Sequence, residues 1–182
     1  MPIPPFNTSG VLPPFVGDNP TAAAGMAPYS VAYSELFARF GTSPERLRLL
    51  NGLGAYRSAL RTAGLVSGFQ WIDGSFLEDV ERMHERPPAD VDLVTFAELP
   101  VGATGSVFAV QRPDLFDPSQ TRQRYSCDAY FVDLTFFRQY PAKLVERTRY
   151  WFGLFSHQRT SHLWKGLLQL PLISDDDAVT AT

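Results

Sequence analysis

Two aspartates two residues apart, Asp90 and Asp92 in "ADVDLVTF", stand at the mouth of an otherwise apolar run. On a strand, residues i and i+2 share a face. Both carboxylates therefore point the same way and repel, and burying them is costly unless something compensates. A divalent cation between them resolves the conflict, and Mg²⁺ suits hard carboxylate oxygens while leaving room for phosphate oxygens. Upstream, "WIDGSF" ends another apolar run in Gly74 and Ser75. Gly74 lets the backbone approach a phosphate closely, and Ser75 offers a hydroxyl beside backbone amides. A third carboxylate enters the later run "SCDAYFVDLTFF" as Asp128 or Asp133. These are five apart, so on a regular strand they face opposite sides and only one can join Asp90 and Asp92. Such a set could hold one or two Mg²⁺ ions, roughly 3.5–4 Å apart if two. That arrangement suits nucleotidyl transfer from a nucleoside triphosphate, where positioning and charge stabilisation do most of the work. The competing use of Asp90 and Asp92 is a solvated cap at a strand end.

Other polar residues carry weaker signals. His157 and His162 are five apart, the wrong spacing for one helical face, and His84 lies between the two motifs. Arg82, Arg86, Arg122 and Arg124 flank the acidic motifs, where one or two could pair with a triphosphate. Lys165 opens an apolar run, where a single charge is unremarkable. Cys127 reads as a small buried residue, and Trp71, Trp151 and Trp164 as core or rim aromatics.

The elements that must position these residues are legible in outline. "SVAYSELFARF" reads as a short helix stopped by Gly41. In "TSPERLRLLNGLGAYRSALRTAGL" Ser43 is an N-cap, Pro44 suits the first helical position, and Leu47, Leu50, Leu53 and Leu60 recur near helical spacing before Gly64. "SGFQWID", "ADVDLVTFAEL", "RYSCDAYFVDLTFF" and "HLWKGLLQLPLI" read as strands, "PAKLVERTRYWFGLF" as a helix, and "SVFAVQ" as ambiguous. Helices and strands mix without strict alternation, so the expected class is α+β with a mixed sheet. Residues 1–29 are rich in proline yet carry Phe6, Val11, Leu12, Phe15 and Val16, which suggests an extended N-terminal arm wrapped on a domain over 30–173. Residues 174–182 read as an acidic tail.

Composition sets outer limits. At 182 residues and 45% hydrophobic, the chain can build one core. A formal charge of -3 lacks the basic footprint of a nucleic-acid binder and argues against a long nucleic acid as partner. A single cysteine excludes an internal disulfide and fits a reducing compartment. With no apolar run of about 18 residues and no basic-then-apolar leader, the expected place is the cytoplasm, without a membrane span.

"DGSF" followed by "ADVDLVTF" resembles the Gly-Ser…Asp-x-Asp signature of the DNA polymerase β-like nucleotidyltransferase superfamily, which includes minimal and antibiotic nucleotidyltransferases. Over nearly the whole chain, "PPFNTSGVLPP", "ARFGTSPERLRLL", "GFQWIDGSF" and "CDAYFVDL" resemble an uncharacterised bacterial family with an expected nucleotidyltransferase fold. Fourteen residues lie between Ser75 and Asp90, slightly more than the superfamily's usual spacing. The resemblance implies that Gly74 and Ser75 contact phosphate and that Asp90 and Asp92 hold metal. It also implies that the third aspartate starts its strand, which Asp128 fits better than Asp133. The implied activity is Mg²⁺-dependent transfer of a nucleoside monophosphate from a triphosphate to a hydroxyl. The alternative is a non-catalytic or regulatory protein of the same fold that binds a protein partner, in a toxin–antitoxin or phage-defence pair.

Overall fold

A computed structural model describes residues 3–174. Its centre is a five-stranded mixed sheet of order β1-β5-β2-β3-β4, made of β1 (Tyr29–Ser30), β2 (Gly68–Asp73), β3 (Val91–Ala97), β4 (Cys127–Asp133) and β5 (Leu168–Pro171). β2 is antiparallel to both neighbours, β3 and β5; β3 and β4 run parallel, as do β1 and β5. Helices complete the mixed α+β architecture: α1 (Tyr33–Phe40), α2 (Pro44–Thr62), α3 (Val80–His84), α4 (Gly105–Gln111), α5 (Pro113–Phe116), α6 (Pro118–Tyr125), α7 (Leu134–Phe137) and α8 (Pro141–Phe155).

α2 begins as its sequence dictates. Ser43 accepts a hydrogen bond from the Arg46 amide, Pro44 takes the first position, and Glu45 stands in the first turn. It buries Leu49, Leu50, Leu53, Tyr56 and Leu60, and Gly64 follows it at φ 88°. Gly41 ends α1 at φ -76°, so that stop does not use the left-handed freedom of glycine. The ambiguous "SVFAVQ" is helical, within α4, and the C-terminal half of "CDAYFVDLTFF" leaves the sheet as α7 because Asp133 caps it, accepting from the Phe136 amide. The last strand is shorter than expected, confined to β5, and Lys165 lies before it.

One sheet face lies against α2, whose Arg57 is fully buried and donates to Gln70 Oε1 at 2.7 Å and to the Pro171 carbonyl at 2.7 Å. The other face carries Trp71, which meets Phe96 and, from α8, Phe152. Near the N-terminus, Val11 and Leu12 are fully buried, the Phe6 and Phe40 rings lie 6.1 Å apart, and Phe15 and Trp164 lie 6.4 Å apart. Of the acidic tail expected over 174–182, all but Ser174 lies outside the described residues. Among the described residues no helix is long and apolar enough to cross a membrane.

Candidate functional site: an aspartate row across three strands

β2 ends on Asp73, immediately before Gly74. The β2–β3 register sets Asp73 opposite Asp92, and the β3–β4 register sets Asp92 opposite Asp128. Residues directly paired across strands project to the same face. Three carboxylates from three strands thus form one row at one end of the sheet, with Asp90 two residues before Asp92. The choice between Asp128 and Asp133 is settled geometrically: Asp128 stands in the row, while Asp133 pairs with Ala97 at the far end of β4 and caps α7.

Two cations serve the ends of this row. On α6, Arg122 places Nε 2.9 Å from Asp90 Oδ2 and a terminal nitrogen 2.6 Å from Asp128 Oδ2. On the other side, Lys165 is buried, with Nζ 2.6 Å from Glu78 Oε1 and 3.0 Å from Asp73 Oδ1. The Asp73 contact is an ion pair whose geometry falls short of a hydrogen bond, so Asp73 Oδ1 and Asp128 Oδ1 are both buried acceptors without a donor. Asp92, in the middle, takes no hydrogen bond or ion pair among the described residues. Burial first, and then Asp90 and Asp128, push its pKa up to about 6. Burial pushes Asp73 up to about 7, against the pull of Lys165. Burial opposes the charge on Lys165, but Asp73 and Glu78 outweigh it and hold the ammonium above the ordinary lysine value.

Gly74 belongs to the row for a steric reason. Its φ is 79°, and a Cβ there would lie 1.8 Å from Asp92 Oδ2. The space a side chain would take is filled by the Asp92 carboxylate. Ser75 then opens a single 3-10 turn, Ser75–Leu77, so no long helix presents its N-terminus beside Gly74. Arg46 of α2 holds this loop in place, donating at 2.7 Å to the carbonyls of Phe76 and of Glu78 and pairing at 2.6 Å with Glu81.

Sequence reasoning missed Asp73 and misjudged Lys165. Asp73 adjoins the Gly-Ser pair, but only the strand register shows that it faces Asp92. Lys165 does not merely open an apolar strand; it is the buried counterion of Asp73 and Glu78, and its signal was a lone charge in "HLWKGLL". Among the described residues no three His, Cys, Asp or Glu side chains converge as a ready metal cage. His157 instead places Nδ1 3.0 Å from the Gly153 carbonyl at the end of α8. Cys127 is fully buried, and burial holds its thiol well above the ordinary value, which disfavours a nucleophilic thiolate.

No curated protein and no solved structure matches this chain. A family model does match, over residues 4–171, which holds the whole sheet and every element that builds the aspartate row; the chain belongs to the family of unknown function DUF6932.

Proposed function

We propose that the protein is a Mg²⁺-dependent nucleotidyltransferase that moves a nucleoside monophosphate from a triphosphate to a hydroxyl. The reading rests on one observation: Asp73, Asp92 and Asp128 stand in register on three adjacent strands, with Gly74 packed on the central carboxylate. The order of parts, strand, Gly-Ser, loop, Asp-x-Asp strand and Asp strand, is the order that the resemblance implies. The donors are carboxylate oxygens, the kind a hard cation takes. Asp92 is uncommitted, and one oxygen of Asp128 is buried without a donor. Asp90, Asp92 and Asp128 would hold Mg²⁺, which supplies charge neutralisation for the phosphates. Gly74, packed on Asp92, and Ser75, next in the chain, would meet the triphosphate. The acceptor oxygen forms a bond to the α-phosphorus, the α–β phosphoanhydride bond breaks, and pyrophosphate leaves. The acceptor's proton would pass to a carboxylate of the row, Asp128 being the candidate base.

A second reading draws on Arg122. By bridging Asp90 and Asp128 it occupies two of the oxygens a metal would take. That favours the same fold as a non-catalytic, partner-binding protein. Thermal unfolding separates the two readings. A triphosphate with Mg²⁺ at about 100 times its Kd adds roughly 2.7 kcal/mol to an active site's stability. Asp92→Asn should erase that gain while leaving the metal-free protein as stable as the parent or more so. A parent protein indifferent to all four ribonucleoside triphosphates with Mg²⁺ leaves only the second reading.

A further inference from the structure

Charge is unevenly spread along this chain. Residues 134–164 carry five Lys or Arg and one Glu, net +4, so the rest of the chain must carry -7 to reach the overall -3. These residues are α7, α8 and the segment that returns to Lys165. Among the described residues, Lys143, Arg147 and Arg149 form no ion pair, whereas Arg138 pairs with Glu98. Aromatic rings stand between the cations. Phe136 is 47% exposed and Tyr150 55% exposed, on a surface where folding would favour hiding both. They line a groove of about 400 Å³ together with Phe137, Lys143, Glu146 and Arg147.

The groove connects to the aspartate row by ring contacts. Tyr150 meets Trp151 at 5.1 Å, and Trp151 meets Tyr130 at 4.8 Å. Tyr130 is partly exposed and lies two residues after Asp128, on the same face of β4. Cations outside ion pairs beside exposed rings, here on α7 and α8, are the means by which proteins hold single strands: cations track phosphates and rings stack on bases. A flat apolar protein partner would need neither the excess of cations nor their lack of ion pairs.

We propose that the α7–α8 face binds single-stranded nucleic acid and leads its end toward the aspartate row as the hydroxyl acceptor. The binding face stands on its own observations; the role of acceptor rests on the nucleotidyl-transfer reading above.

The test is fluorescence anisotropy of a fluorescein-labelled uridine oligomer of about 15 nucleotides. No metal or triphosphate is added, so failure of the transfer reading does not move the result. The parent protein should bind, and with three phosphate contacts should lose about 20-fold in affinity between roughly 50 and 200 mM salt. Lys143→Glu with Arg147→Glu should weaken binding at least about tenfold and flatten the salt dependence. Tyr150→Ala should weaken it at least about fivefold by loss of stacking. All three side chains are exposed, and unchanged melting temperatures confirm that the variants fold. A parent that does not bind, or variants that bind like the parent, overturn the proposal. So does a polyglutamate peptide that displaces the oligomer as well as unlabelled oligomer does; the face would then serve an acidic protein segment. In a separate reaction with ribonucleoside triphosphates and Mg²⁺, an oligomer that binds but is not extended would overturn the acceptor role while leaving the binding face standing.

Discussion

A carboxylate set between two others on neighbouring strands, with no donor of its own, is held at a cost, and Asp92 is in that position. Its pKa is raised from 3.8 to about 6. Between those values the folded protein keeps a proton that the unfolded chain has lost. The contribution of Asp92 to stability is therefore most favourable on the acid side and falls as pH rises through about 6. A shift of about two units corresponds to about 3 kcal/mol. Urea unfolding of the parent and of Asp92→Asn from about pH 4 to about pH 7 should show the parent losing stability relative to the variant across that window. Equal slopes would mean that Asp92 is not charged at a cost. Gly74 answers to the same carboxylate. Gly74→Ala should destabilise by about 2–4 kcal/mol, from a positive φ and a clash with Asp92. In an Asp92→Ala background the carboxylate clash is gone, leaving the φ penalty and a 3.0 Å approach to the remaining Cβ at position 92, so the cost should fall, a coupling that a double-mutant cycle measures.

The row is assembled by elements far apart in sequence. α2 supplies Arg46 to clamp the Gly-Ser loop, α6 supplies Arg122 to one end of the row, and the turn before β5 supplies Lys165 to the other. Lys165 is the most constrained of these, since removing it strands two carboxylates, Asp73 and Glu78, that are nearly fully buried. Lys165→Met should cost about 3–5 kcal/mol in chemical denaturation at neutral pH. The cost should shrink in acid, where Asp73, with a pKa of about 7, is already neutral. A variant as stable as the parent at neutral pH would show that burial, not the ion pair, sets the energetics there.

At the scale of the whole molecule, the N-terminal residues are bound to the core beside the site. The Asp79 amide donates to the Gly10 carbonyl and the Gly166 amide to the Leu12 carbonyl, both at 2.8 Å, on either side of the buried Lys165 cluster. Leu12 is fully buried in the core. Leu12→Ala should cost about 2–5 kcal/mol. Amide exchange should be slow at Asp79 and Gly166 and fast at the exposed Gly17, Asp18 and Asn19. Rapid exchange at both amides would detach this segment from the fold. Charge also acts at this scale. The overall -3 argued against a polyanion, yet it averages an acidic body with a basic α7–α8 face.

Local chemistry made much of this protein legible from sequence. Ser43, Pro44 and Gly64 mark α2 because caps and fixed φ values act within a few residues. The strands cores of "GFQWID" and "DVDLVTF" follow from their apolar runs, and the shared face of Asp90 and Asp92 from the period of a strand. Gly74, Ser75, Asp90 and Asp92 were identifiable as types in order, with Asp128 or Asp133 open as the third carboxylate. What pairs with what was not. Register between strands is set by packing across many residues, so the row Asp73–Asp92–Asp128 exists only once β2, β3 and β4 are aligned. Lys165 lies 92 residues after Asp73, and no local pattern reports a contact over that separation. Arg122 was one of several flanking arginines until α6 set it against Asp90 and Asp128. Types and local conformations are decided by neighbours along the chain; which charges meet is decided by the tertiary fold, because Coulombic and steric contacts depend on distance in space alone.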